Sequence, residues 1–363
     1  MTKARTNASA SPAVGRNMII NGAMNVAQRG TSFTGIGASS GYLGPIDRFR
    51  ISGGATAGRL TASQTSDGPN GISANCLKFD CTTADTSIAA NEKLRIEQRF
   101  EGQNLQRIGK GVAGAKQVTV SFYVKANASF TFACELYDFD NSRQISKLFS
   151  VTSNWSRVEL TFPADEDDGS SPFGDDNALS LSLFIHLHAG SNNTSGTLNS
   201  SSWANATDAN RAVGIDSFYS STDNNFFITG VQMEVGPVAT EFEQEDISTT
   251  LAKCQRYYQK WLANTANDSV FTGSMISDTS FIGEYFLRTS MRAEPTLSTT
   301  GTFAVRLKTN DRALSAGPVL NRATPDNVQI SATIADNNES GFAGFLKCAD
   351  SDDDAFVEFI AEL

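Results

Sequence analysis

Cysteine is scarce and unpaired in this sequence: Cys76, Cys81, Cys134, Cys254 and Cys348 are an odd number with no CxxC pair among them. That excludes a disulfide framework and points to buried thiols in a chain made in a reducing cytoplasm. Histidine is scarcer still. With only His186 and His188 available, a Ser-His-Asp arrangement has little to build from, and neither a G-x-S-x-G elbow nor an H-E-x-x-H occurs. There is no Lys/Arg-rich run, and a formal charge of -10 argues against a nucleic-acid groove or an anionic membrane surface as the main partner. No run approaches the roughly 18 apolar residues of a membrane helix, and MTKARTNASASPAVGRN at the start holds no apolar signal core. The expectation is a chain neither exported by the ordinary signal route nor inserted in a bilayer. It is not expected to be an enzyme or to need a cofactor. The one catalytic version left open is glycosidic cleavage by two distant carboxylates, which leaves no local signature.

Helical periodicity is nearly absent too. Its one instance is Ile247 to Leu262, where Ile247, Leu251, Cys254, Tyr258 and Trp261 fall at a 4-3-4-3 spacing on one stripe. Ser248 to Thr250 can cap such a helix, and Asn264 to Asp268 can stop it. The stripe fits a helix laid on a neighbouring sheet. It also fits the seam of a short coiled coil in which Tyr258 and Trp261 meet around a three-fold axis.

What is abundant is alternation at period two. Val118, Val120, Phe122 and Val124 share a face, as do Phe130, Phe132, Cys134 and Leu136, then Val158, Leu160 and Phe162. Leu179 to His188 places Leu179, Leu181, Leu183, Ile185 and Leu187 on one side. Phe226 to Val235 is apolar on both faces at several positions, as in a central, well-covered strand. The stretches between are rich in Gly, Ser, Asn and Asp, so surface loops rather than crossover helices join the strands. The fold class expected is all-β: an antiparallel β-sandwich of jelly-roll type, a linking α-helix and a smaller C-terminal β domain. The 363 residues divide into an arm (1–44), a sandwich (45–243), a linking helix (244–266) and a C-terminal β domain (267–363). The arm's NMIINGAMNVAQRGTSF mixes apolar residues with turn signals, so it can pack into this subunit, a symmetry mate or a larger assembly.

Several segments carry a resemblance. NMIINGAMNVAQRGTSF (17–33), PIDRFRI (45–51), VTVSFYVKA (118–126), NWSRVELTFP (154–163), FFITGVQMEVGPVATEFE (226–243) and LAKCQRYYQKW (251–261) stand in this order, followed by MRAEPTLSTTG (291–301) and FIAEL (359–363). Together they resemble a family of bacteriophage virion proteins, often labelled tail fibre or phage structural protein, with a central domain similar to carbohydrate-binding-module jelly rolls. The resemblance implies a place in the particle, assembled in the host cytoplasm, and does not identify a ligand. The partners it implies are a homotrimer of this chain, other virion proteins through the arm, and a host cell-surface polysaccharide.

Sugar binding by a sandwich needs flat aromatic faces on exposed loops, flanked by amide or carboxylate groups that bond hydroxyls. Trp203 is the first candidate, in the polar loop LNSSSWANAT, with Tyr219 and Tyr42 next. Trp155 opens a strand and Trp261 lies on the helix stripe, so both read as structural. His186 and His188 share a strand face, a spacing that can offer two imidazoles to one metal, but with no third ligand in view they are expected at the solvent side or a subunit interface. The acidic stretches Asp165 to Gly169 and Asp350 to Asp354 depart from an EF-hand pattern and are expected to be solvated turns, with a structural calcium as the alternative. No metal is expected.

Overall fold

A computed structural model describes residues 15–38, 42–166, 172–335, 340–349 and 354–363. The chain divides into two compact units, with the boundary between Thr250 and Leu251.

The first unit is an antiparallel β-sandwich. Its six-stranded sheet runs in the order β1 (Ser32–Ile36), β4 (Arg59–Thr65), β5 (Cys76–Thr83), β13 (Asn225–Val235), β7 (Val118–Ala126), β10 (Ser156–Phe162). The seven-stranded sheet runs β12 (Ala204–Asn205), β9 (Arg143–Val151), β8 (Phe130–Asp138), β11 (Leu179–Ala189), β6 (Lys93–Glu101), β3 (Arg50–Gly54), β2 (Tyr42–Leu43). The apolar members of each alternating run meet between the sheets. Phe122 of β7 packs edge-on to Phe149 of β9 with ring centroids 5.0 Å apart, and Phe132 of β8 to Phe226 of β13 at 5.6 Å. Such perpendicular contacts suit the ring quadrupole and fix the sheet spacing. All five cysteines are buried and unbridged.

The central strand β13 is interrupted by a bulge between Thr229 and Gln232, where Gly230 takes φ +61°. A Cβ there would lie 2.8 Å from the Ile72 side chain and 2.9 Å from the Tyr123 ring, so only glycine fits. Beyond Ile228 the pairing of β13 with β5 stops, and the N-terminal segment takes its place. Val231 N donates to Gly22 O (3.0 Å), Met18 N to Met233 O (2.8 Å) and Asn17 Nδ2 to Val231 O (3.2 Å). Met18, Ile19, Met24 and Val26 are buried in the same process. Residues 17–26 therefore cover an edge of their own sandwich, which leaves no bare ladder at that point. Of the three destinations open to the arm, this stretch takes the first.

The helical stripe is shorter than its spacing suggests. An α-helix forms only over Ile247–Gln255, and Tyr258–Leu262 is strand β14. The two aromatic members of the stripe lie off the helix: Tyr258 pairs with Ile360 and Trp261 with Val357 of β22 (Phe356–Ile360). The reason is tertiary. Aromatic side chains favour a pleated, half-buried surface over a helix, and β22 supplies a ladder to join. Tyr258 is buried and donates to Glu358 Oε1 at 2.5 Å, Cys254 is buried, Leu251 is half-buried, and Ile247 is 54% exposed. A continuous seam through all five residues does not exist.

In the second unit, β14 and β17 (Thr296–Thr300) flank β22, so the last strand of the sequence sits at the centre of a three-stranded sheet. A closed barrel runs β15 (Ser269–Met275), β16 (Ser280–Phe286), β20 (Asn327–Ile334), β19 (Asn310–Ala323), β18 (Phe303–Leu307), β21 (Ala343–Cys348). Closure removes the open edges that short strands would otherwise expose. Its core holds Phe281, Val305, Leu307, Ile330 and Leu346.

Candidate functional site

The outer face of the seven-stranded sheet is where chemistry collects. Strand β6, KLRIEQRFE, sends Leu94, Ile96 and Phe100 inward, so Lys93, Arg95, Glu97 and Arg99 share the other side. Strand β11 sends Leu181, Leu183, Ile185 and Leu187 inward, so Ser182, Phe184 and His186 join them. The register then builds rows across the sheet. One row is Arg50, Glu97, Phe184, Glu135 and Ser146; the next is Ser52, Arg95, His186, Ala133 and Leu148; a third is Arg99, Ser182, Tyr137 and Gln144. Cross-strand neighbours of this kind sit about 5 Å apart, close enough to act on one ligand.

Two carboxylates anchor the face. Glu97 accepts from Arg99 Nε (2.6 Å) and Ser182 Oγ (3.0 Å), with Arg50 Nη1 at 3.8 Å. Glu135, fully buried, accepts from Arg211 Nε (2.9 Å) and Nη2 (3.0 Å), a two-point clamp from the loop after β11, and from His186 Nε2 at 2.7 Å. Burial alone would raise the Glu135 carboxyl, but the Arg211 charge and the hydrogen bonds from His186 and Arg211 outweigh it and hold it at about 2. His186 is pushed down by burial, against the pull of Glu135. A neutral imidazole that donates through Nε2 to a carboxylate has a lone pair at Nδ1, which makes that atom an acceptor.

An aromatic and guanidinium stack lies over these acids. The Arg95 guanidinium sits 4.1 Å from the Phe184 ring centroid, and Arg211 lies 4.7 Å from Tyr137 and 5.4 Å from Phe184. Tyr137 continues to Phe139, 4.7 Å away and 39% exposed. Burial and the neighbouring Arg211 charge lower Arg95 to about 10, against the pull of Glu97 and Glu135. Lys93 is lowered as well, by burial and then by Arg95 and Arg211. At the β3 side the buried Ser52 stands opposite Arg95, and Gly54, half-buried and without a side chain, stands opposite Lys93.

Buried polar atoms without a hydrogen-bond partner concentrate here. Among the described residues, Arg95 Nε, His186 Nδ1, Ser146 Oγ and Gln144 Oε1 are four of them, all on this face. Native interiors leave few such groups, and each asks for a partner from outside the chain. Arg95 and His186 are register partners, so an unmet donor stands next to an unmet acceptor.

The aromatic residues expected from sequence to meet a ligand lie elsewhere. Trp203 is half-buried against the sandwich core and donates from Nε1 to Pro163 O at 3.0 Å, so its ring is folded down over the sandwich edge. Tyr219 is wholly buried, edge-on to the His188 ring at 5.3 Å; a Cβ on Gly58 would lie 2.5 Å from its ring, so the loop closes tightly on it. Tyr42 lies on β2 opposite Ile51, and its side chain falls outside the described residues. The structure does not bring the three together. His186 shares the outer face with Ser182 and Phe184, but both histidines are buried rather than solvent-facing: beyond a bulge His188 lies opposite Leu94 and bonds Ser217 Oγ (2.8 Å) and Glu92 (3.1 Å).

Sequence reasoning missed β6 altogether. The signal was present, since K-L-R-I-E-Q-R-F alternates charged and mostly apolar residues at period two. Arg211 had no local signal, because its role depends on a loop folding back 76 residues to Glu135.

Of the acidic stretches, Asp165 is buried and clamped by Arg143 (2.8 and 2.9 Å), with Lys110 at 3.4 Å, so this residue is no solvated turn. Residues 167–171 and 350–353 lie outside the described set. No group of three or more His, Cys, Asp or Glu among the described residues could hold a metal ion, and no helix among them is long and apolar enough to cross a membrane.

No protein-family model matches this chain, and no curated protein matches it. Solved structures do. A family 4 carbohydrate-binding module is 11% identical, with a TM-score of 0.31, over 59% of this chain and 97% of that one. A family 61 module in complex with β-1,4-galactotriose is 10% identical, with a TM-score of 0.29, over 61% and 99%. A family 11 module from Clostridium thermocellum, in complex with a mixed-linked tetrasaccharide, is 13% identical, with a TM-score of 0.27, over 56% and 100%. With identities this low, the roles of individual residues rest on the geometry described above.

Proposed function

We propose that this chain is a recognition protein of a bacteriophage virion, a fibre or spike whose sandwich offers the outer face of its seven-stranded sheet to a host-surface glycan. The observation that carries the reading is a pair of half-buried cations on β6: Arg95, its guanidinium 4.1 Å from the Phe184 ring centroid, and Lys93 have no carboxylate within ion-pair distance among the described residues. Sugar oxygens accept hydrogen bonds from such cations, replacing water that would otherwise do so. The place in a virion rests on the ordered resemblance of FFITGVQMEVG, CQRYYQK and the other segments to phage structural proteins.

In this reading the protein binds and does not catalyse. It assembles in the host cytoplasm as a homotrimer, so that three weak sugar contacts add up to useful avidity. Attachment to other virion proteins falls to the N-terminal arm, and within that arm to residues before Gly15, since 17–26 are committed to the sandwich. Pre-incubating host cells with purified protein tests the role: adsorption of the phage should fall in proportion to occupancy. Unchanged adsorption, with particles that lose integrity when the protein is missing, would assign it instead to an architectural part such as a head fibre, decoration or connector.

A further inference from the structure

We infer that the glycan is acidic, with a sugar carboxylate seated over Gly54 between Lys93 and Arg95; this rests on the recognition reading above. The face carries cationic charge that no ion pair among the described residues neutralises. Each carboxylate of the face already has its own partners: Glu97 has Arg99 and Ser182, Glu135 has Arg211 and His186, Asp208 has Arg211 at 3.3 Å, and Glu92 has His188. Lys93 and Arg95, among the described residues, have no carboxylate within ion-pair distance. Both are partly buried, and the acids that act on them, Glu97 and Glu135 on Arg95, Asp208 and Glu97 on Lys93, do so from beyond ion-pair distance.

The surroundings favour a bound anion over a mobile counterion. Gly54 stands opposite Lys93, and a Cβ there would find nothing nearer than Lys93 Cε at 3.8 Å, so the position has room. The Arg95 guanidinium is held 4.1 Å from the Phe184 ring centroid, and a positioned guanidinium suits a carboxylate. On this face of a chain of formal charge -10, Arg50, Arg99 and Arg211 are engaged by Glu97, Glu135 and Asp208, which leaves Lys93 and Arg95 for an acidic ligand.

Calorimetric titration of the full-length protein with galacturonate, glucuronate and mannuronate oligosaccharides, with their methyl esters, and with neutral hexose oligosaccharides tests this. At least one free acid should bind about tenfold or more tighter than its ester, since a hydrogen bond to a charged group is worth roughly tenfold to a hundredfold in affinity. Raising salt should weaken the acid and leave the ester unchanged. Arg95→Gln should remove the preference and Arg95→Lys keep part of it. The ester comparison needs no variant, so a folding defect cannot obscure the result. Equal binding of acid and ester, or binding of neutral sugars alone, would overturn the inference and leave the recognition reading standing. Binding of neither class would overturn both.

Discussion

Replacing Arg211 with Met should destabilise the sandwich by about 3 kcal/mol at pH 7. The side chain makes two bonds to Glu135 at 2.9 and 3.0 Å and stacks on Tyr137, so its loss leaves a fully buried carboxylate with only the 2.7 Å bond from His186. Removing one partner of a buried pair costs about 3–5 kcal/mol. The lower end applies here, because Met keeps part of the packing and His186 still serves the acid. Urea unfolding followed by tryptophan fluorescence, to which Trp155 and Trp203 of this unit contribute, is the assay. With a slope of about 3 kcal/mol/M for a unit of this size, the midpoint should fall by about 1 M. The variant's Glu135 would lose the charge that depresses it, so the deficit should shrink as the pH is lowered toward 4 and the acid is neutralised. Adding Glu135→Gln to Arg211→Met should recover much of the loss. A deficit under about 1 kcal/mol at pH 7, or a double variant no more stable than the single one, would refute the claim that the pair is buried and coupled.

Three further outcomes follow from the same geometry. Glu135 is depressed from an ordinary 4.5 to about 2, so its contribution is complete above 4.5 and is lost as the pH falls through about 2; at about 1.4 kcal/mol per pH unit this is ~3 kcal/mol, and acid titration of stability should be shallower in Glu135→Gln. Trp203→Ala should cost about 2–4 kcal/mol, because the ring packs on the core and bonds Pro163 O, while leaving glycan affinity unchanged; a lost affinity with intact melting would restore Trp203 as a contact. Light scattering of the purified chain should give three copies, and a monomer at working concentration would remove the homotrimer from the proposal.

Much of the sandwich was legible because burial on one face writes itself into the sequence. Strands β7, β8, β11 and β13 begin and end within a residue or two of their alternating runs, and Phe226 to Val235 does sit between two neighbours. The helix was legible only to Gln255, because a stripe at 4-3-4-3 spacing says nothing of a distant strand, β22, that captures Tyr258 to Leu262. The face proposed for the ligand was the least legible. Exposed aromatics were the expected signature, and Trp203 and Tyr219 were consumed by packing. The groups that gather instead are a charged strand, an outward phenylalanine and an arginine from a loop, brought together by register and by a contact across 76 residues.

The central claim is that recognition occurs on the outer face of the seven-stranded sheet, and one substitution tests it most directly. Gly54→Trp places a ring beside Lys93 and Arg95 from a position with ordinary backbone geometry, where the nearest atom to a Cβ is the flexible end of Lys93 (Cε, 3.8 Å), so the sandwich should melt close to the wild type. Binding of host-surface polysaccharide to immobilised protein should then fall by more than tenfold. Binding undiminished in this variant, with the fold intact, would place recognition elsewhere on the chain.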